Sequence, residues 1–463
     1  MTMNKSVFAL LLTAALLSTV SCDKTKQLFP KPPSQGGNDL AEDVPLPDNI
    51  FDDDIFQAFT DPGSGVVSYY LKSDVLKKDN SQSVYYTGCE MSNDERFIIA
   101  TTSTNEEKVR RKDDAAVKEL LSGQETVQET HGVIIDLARR KVYTFPYSGG
   151  PYPYLDPETD VLYYAVRSAD RTTATFYKRE LKVNPTQVIR LADFPASIVP
   201  TGVNRPISRV LSHITLTSDK KKVFIDSWVA DQFYWGMLDL YSGAWEEWGH
   251  STTTHITHGL VNPKHDDEAL CAIDVWNDRQ GGSHPIEYDP DGTNPRMQFV
   301  KKGERHTIQP AEDNGATHEG WTADGDHVYW CSGGIHVRNI RNGEYYRVLT
   351  TNQSVEQATH CNPSRDLHYW TFDDCYPDFY RGCRWKVRFL NAENGKQVYI
   401  YNQMPAMTDV NHESAIHPDP HPHFVCNDKY IICTMYAPDP KAEGFVNVHL
   451  SVTPVDQLIR MTQ

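Results

Sequence analysis

Apolar residues recur along this chain in short uninterrupted runs, each opened by a turn that carries Asp, Asn, Pro or Gly. Seven such units are readable: MSNDERFIIATT from Met91, LDPETDVLYYAV from Leu155, LTSDKKKVFIDSW from Leu216, VNPKHDDEALCAIDVW from Val261, TADGDHVYWCS from Thr322, NPSRDLHYWTFDD from Asn362 and VCNDKYIICTMY from Val425. They follow one another at roughly 40 to 60 residues, a period that suggests propeller blades. Further β-rich segments come after the runs, among them HGVIIDLARRKVYTF from His131 and WKVRFLNAENGKQVYIY from Trp385, joined by hairpin-type turns. Four strands in each of seven units predict an all-β fold, a seven-bladed β-propeller with four-stranded antiparallel blades. A pair of β-sandwiches is the alternative, disfavoured by the regularity of the turns. The charged stretch Glu106 to Gln128 interrupts the first unit, and its Ala115 to Leu121 has helical character.

A second periodicity lies just before each turn. His213 (SHITLTSD), His258 (HGLVNPKHD), His318 (HEGWTADGD), His360 (HCNPSRD), and His421 with His423 (HPHFVCND) begin the same strand of five consecutive units. If that strand is innermost, these imidazoles converge on the mouth of the central channel. The densest stretch is IHPDPHPHFVCND, Ile416 to Asp428, with His417, His421 and His423. Pro422 pushes His421 toward an extended conformation, in which residues i and i+2 point to the same side, so His421 and His423 are expected to face one point. Imidazole is a common ligand for divalent metals. A stiff polar loop whose histidines bond only to backbone is the competing reading.

Composition agrees with the β reading: 24 Tyr, 17 Phe and 9 Trp suit strands, and 27 Gly and 28 Pro suit turns. The balance of 45 basic against 62 acidic side chains, −17 net, disfavours nucleic acid or an anionic membrane surface as the main partner. A local cluster of cations or a metal still permits an acidic substrate.

At the N-terminus, Lys5, the apolar run Val7 to Leu17 and the small residues Ser18 to Ser21 before Cys22 resemble a bacterial lipoprotein signal, with Cys22 the lipidated residue. An ordinary secretory peptide cut near Ser21 is the alternative. The expected organisation is a signal peptide and lipobox over 1–22, a flexible tether over 23–50 and a single propeller over 51–463. That describes an exported cell-envelope lipoprotein, in the periplasm or at the outer membrane, touching membrane only through its N-terminal lipid anchor. In that compartment Cys375 and Cys383, around the loop YPDFYRG, could bridge a hairpin, whereas Cys426 and Cys433 read as buried thiols.

The elements HGLVNP from His258, THEGWTADGDHVYW from Thr317, THCNPSRD from Thr359 and HPHFVCNDKYIICT from His421 resemble the blade-opening motifs of oligogalacturonate lyases, seven-bladed propellers that degrade pectin fragments. The resemblance runs over residues 205 to 437, with HEGW and HPHF its most specific parts. It implies a divalent metal, Mn²⁺ first, with Zn²⁺, Ni²⁺ or Ca²⁺ as alternatives. It assigns His360, His421 and His423 as metal ligands. The family's glutamine ligand falls on Pro418, so His417 is the substitute. His318 matches the catalytic histidine, and the family's arginine position falls on His284, with Arg279 nearby. Such a constellation supports β-elimination: His318 abstracts the C5 proton of a 4-linked uronate, whose carboxylate a metal neutralises.

His258 and Trp321 are candidates to line the substrate cleft, whereas His213 reads as bonded within its blade. Trp276, Trp330 and Trp370 sit in apolar strands and read as core. Glu319 is either a partner orienting an imidazole or an exposed ion-pair residue. The Asp373-Asp374 pair reads as a solvated loop rather than an acid/base pair for glycoside hydrolysis. No phosphate loop, nucleophile elbow or H-E-x-x-H helix is present. The expected partner is an acidic oligosaccharide, met by a monomer. The rival functions are a lyase or hydrolase for a different uronide, and a non-catalytic envelope propeller that binds glycan or protein.

Overall fold

The computed structural model describes residues 44–463 apart from 52–53, 105–130, 148–150, 169, 199–206, 231, 253, 274–295, 311–314, 352–356, 375–383, 407–418 and 439–445. Cys22, the tether up to residue 43, the insertion Glu106 to Gln128, the Cys375 and Cys383 pair and Trp276 therefore lie outside the described residues, as do Arg279, His284 and His417. Among the described residues no helix is long and apolar enough to cross a membrane.

Seven antiparallel sheets follow one another along the chain as the blades of a β-propeller. Blades 1 to 6 open with the strands Asn80–Gln82, Tyr154–Asp156, Ile207–Arg209, Ile256–Val261, Thr317–Trp321 and Cys361–Pro363, and each has four strands in sequence order. Blade 7 differs. Its strands His423–Val425, Tyr430–Pro438 and Val446–Pro454 are completed by Val67–Leu71 and Phe56–Thr60 from the start of the propeller, making a five-stranded sheet. Closing the ring with both chain ends leaves few sheet edges to pair with other chains.

The uninterrupted apolar runs are explained by what lies on each side of a blade. Side chains alternate between the two faces of a strand, and both faces of a blade's second strand meet a neighbour. In Phe97–Ser103, Phe97 and Ile99 pack toward blade 2 with Leu155, Leu162 and Tyr164. Ile98 and Ala100 pack toward blade 7 with Ile432, Leu450 and Val452. Each boundary between successive blades is filled by one such apolar cluster, and Trp330 and Trp370, fully buried, belong to two of them.

The acidic turns that mark the units join blades. Asp266 of blade 4 accepts from Ser218 N (2.6 Å) and Ser218 Oγ (2.8 Å) of blade 3, and Asp428 of blade 7 accepts from Arg365 N (2.9 Å) of blade 6. Within its own turn, Asp324 Oδ1 accepts from Asp326 N at 2.8 Å, the side-chain-to-backbone bond that makes Asp a turn former.

Candidate metal centre and active site

In two blades the histidine sits on a bulged strand. Pairing slips between Thr257 and Leu260 in blade 4 and between Thr317 and Gly320 in blade 5. At these bulges His258 (φ 52°) and His318 (φ 55°) take the left-handed conformation, as does His421 (φ 51°) ahead of its strand. For a residue with a Cβ this costs about 1–2 kcal/mol, the kind of local strain that accumulates at functional sites. The expectation of an extended His421 is therefore corrected: Pro422 bars the right-handed helical region, and the residue takes the left-handed one. The bulges also account for the glycines of HGLVNP and HEGW. A Cβ on Gly259 would lie 2.4 Å from Phe224, and one on Gly320 would lie 2.3 Å from the Tyr329 hydroxyl.

The predicted convergence is present, and it is joined by tyrosines. Tyr85 stacks on His213 (ring centroids 4.3 Å apart), lies edge-on to His421 (4.8 Å) and approaches His258 (5.7 Å). Tyr86 packs near His360 (5.6 Å) and donates its hydroxyl to the Glu319 carbonyl (2.9 Å). Blade 2 adds Tyr152, 6.1 Å from His213. Blades 1 and 2, which carry no histidine at this position, thus supply phenols. His213 is buried in this aromatic stack.

His360, Asp419 and His421 form a buried group able to hold a metal ion, with ligand atoms all within 4.8 Å of one another. Asp419 Oδ2 stands 3.6 Å from Nε2 of His360 and 3.6 Å from Nε2 of His421. Ligands about 2.1 Å from one ion at tetrahedral angles would stand about 3.4 Å apart, so the spacing fits a divalent metal. Two imidazoles and a carboxylate suit manganese or zinc. Burial, with the Arg296 guanidinium acting in the same direction, pulls His360 down to about 3 and keeps it in the neutral form a metal requires.

His417 lies outside the described residues, and among the described ones Asp419, one residue beyond Pro418, joins His360 and His421 in the group able to hold a metal. His423 is brought against Glu90 instead, its Nε2 bonded to that buried carboxylate and its Nδ1 2.8 Å from the His421 carbonyl. His421 and His423 do not face one point. Burial disfavours the charged form of His423, but Glu90 outweighs it and the pKa is raised.

Asp373 and Asp374 are fully buried in the second strand of blade 6, which corrects the solvated-loop reading. Asp374 pairs with Arg388 at 3.0 Å. Asp373 faces the metal group, where burial raises its carboxyl well above the ordinary range while the backbone N–H groups of His360 and His421 pull it back.

On the other side of His360 stands His318, half-buried, with ring centroids 4.0 Å apart. Next to it, Glu319 is buried and bonded to Arg296 (2.8 Å and 3.4 Å), so it is neither exposed nor orienting an imidazole. Losing either partner of such a pair would cost about 3–5 kcal/mol. Arg296 is a site residue that the sequence reading missed. Burial, then Arg296 and the neighbouring imidazoles, hold His258 well below the usual histidine range. Trp321 packs at the boundary of blades 4 and 5 and donates its indole N–H to the Leu260 carbonyl (3.0 Å).

No protein-family model matches the chain, and no curated protein does. Among solved structures, an oligogalacturonate lyase in complex with manganese is similar at TM-score 0.60 and 15% identity, over 86% of this chain and 96% of that one. An oligogalacturonate lyase from Vibrio parahaemolyticus is similar at TM-score 0.56 and 14% identity, over 87% of this chain and 97% of that one. At this identity the likeness is one of fold: the chain is a propeller built like these lyases, and its centre carries a group able to hold a metal.

Proposed function

We propose that this protein is a metal-dependent lyase that cleaves uronic-acid oligosaccharides by β-elimination, with oligogalacturonate the first substrate to test. The observation that carries the reading is the half-buried His318 set against a buried His360–Asp419–His421 group in a propeller shaped like known lyases. Bound to that group, a divalent cation of the manganese kind would supply Lewis acidity to the uronate carboxylate.

The chain's own residues account for the rest. His318, whose Nδ1 is buried, presents Nε2 to the C5 proton, which is acidified by the carboxylate beside it. As the C5–H pair moves to form the C4–C5 double bond, the C4–O4 bond breaks and the leaving oxygen takes a proton from water. Arg296, held by Glu319, supplies a fixed positive charge for a uronate carboxylate. Neutral His258 offers a ring nitrogen to a sugar hydroxyl.

A lyase for a different uronide is the second reading. It is favoured by Asp419, a charged donor close to where the family pattern has a neutral glutamine. In either case we place the protein at the cell envelope, anchored through Cys22 and acting as a monomer. Radiolabelled palmitate incorporation that Cys22→Ser abolishes tests the anchor. Product analysis on a panel of oligouronides tests the reaction: unsaturated products support a lyase, reducing ends alone support a hydrolase, and retention without cleavage supports a binding propeller.

A further inference from the structure

The buried carboxylate of Asp373 joins two blades at the metal group. Its Oδ1 accepts from the backbone N–H of His360 (2.8 Å) in its own blade, and its Oδ2 accepts from the backbone N–H of His421 (3.2 Å) in the next. Both oxygens also stand 3.0 Å from Nδ1 of His360. With each oxygen already accepting a backbone N–H and both equidistant from the ring nitrogen, the arrangement suits an Nδ1–H that donates between them. That leaves the Nε2 lone pair directed at Asp419. The carboxylate–imidazole pairing is how proteins fix the tautomer and orientation of metal-binding histidines.

The same latch recurs away from the metal group. Asp226, in the second strand of blade 3, accepts from Ser212 N (2.7 Å) in its own blade and Gly259 N (3.0 Å) in blade 4. At the corresponding place in blade 7, Thr434 accepts from Ser83 N of blade 1 (3.1 Å). The Asp226 latch adds only the Ser212 hydroxyl (2.6 Å) to these backbone bonds, whereas the Asp373 latch grips an imidazole.

We propose that Asp373 is the positioning residue of the metal centre: it fixes His360 as the Nδ1–H tautomer and sets its Nε2 and the His421 backbone in register across the boundary of blades 6 and 7. The inference rests on the reading of His360, Asp419 and His421 as metal ligands. It is tested on the full-length protein in two ways. In metal-free protein labelled with ¹⁵N-histidine, with His360 assigned by comparison with His360→Gln, the tautomer is read from long-range ¹⁵N–¹H couplings. Protonated Nδ1 is expected, and an Nε2–H tautomer would overturn the proposal. By calorimetric titration with MnCl₂, Asp373→Asn should bind roughly 10- to 100-fold more weakly than wild type. Asp226→Asn, the matched latch elsewhere in the ring, should bind as wild type does. A folded Asp373→Asn with unchanged Mn²⁺ affinity overturns this proposal alone, whereas a wild-type protein that binds no Mn²⁺ overturns the metal-centre reading beneath it. If Asp373→Asn does not fold, the wild-type tautomer decides.

Discussion

The imidazole of His318 lies against that of His360, ring centroids 4.0 Å apart, so a half-buried histidine of blade 5 touches a buried member of the metal group from blade 6. In the proposed elimination, proton abstraction and metal binding are therefore adjacent but carried by different side chains. His318→Ala should lower turnover of an oligouronide by about 10²- to 10⁴-fold. Its manganese content, measured by plasma mass spectrometry, should match wild type. Metal lost together with activity would make His318 a ligand rather than the base.

The ligand set is tested by substituting one donor at a time. Asp419→Ala and His421→Ala should abolish tight Mn²⁺ binding, because each removes one of three donors that share a site. His423→Gln should keep it, because His423 is directed to Glu90. The reverse pattern, with metal retained by Asp419→Ala and lost by His423→Gln, would move the centre onto the H-P-H pair.

The left-handed backbone at His318 inverts an ordinary ranking. Alanine in a strand is normally preferred to glycine, but at φ 55° its Cβ is strained. His318→Gly should therefore be more stable than His318→Ala by about 1 kcal/mol in urea unfolding. Equal or reversed stabilities would show that the bulge relaxes once the imidazole is removed.

Stability should depend on pH through the histidines at the ring's centre. His258 has a folded-state pKa well below the usual value of about 6.5, so the unfolded chain takes up its proton first. The contribution is fully present above about pH 6.5 and is lost as pH falls toward the folded-state value, by about 1.4 kcal/mol per pH unit for one group. Metal-free protein should accordingly be less stable at pH 5 than at pH 7 in denaturant titrations, and His258→Gln should reduce that difference. A difference that His258→Gln leaves untouched would show that the titration comes from elsewhere. His423 has the opposite sign. Its raised pKa gives stability present below about pH 6.5 and lost as pH rises through the folded-state value.

The blades were legible because both faces of their second strands are buried, which leaves runs such as FIIATT and YIICTM without polar alternation, and because acidic turns recur where blades are joined. The histidine positions were legible for a related reason: equivalent places in successive blades carry a residue of the same kind before each turn. What escaped has no repeat to betray it. Tyr85, Tyr86 and Tyr152 fill the histidine level in the two blades that break the pattern. Arg296 comes from the approach to a third strand and is held at the site by its bond to Glu319. Asp419 was hidden in IHPDPHPHF because an Asp between two prolines reads as a turn residue beside three histidines. Asp373 looked solvated because a doubled acid suggests a surface, yet each carboxylate has buried donors waiting for it.

Metal-dependent elimination leaves a direct optical signature. Protein stripped of metal with EDTA and dialysed is incubated with digalacturonate and trigalacturonate, and the ultraviolet absorbance of the C4–C5 unsaturated product is followed before and after adding MnCl₂. No absorbance change is expected until Mn²⁺ is added, with a steady rise afterwards. Cleavage that releases reducing ends without the chromophore, or a chromophore that forms equally well without metal, would contradict metal-dependent elimination.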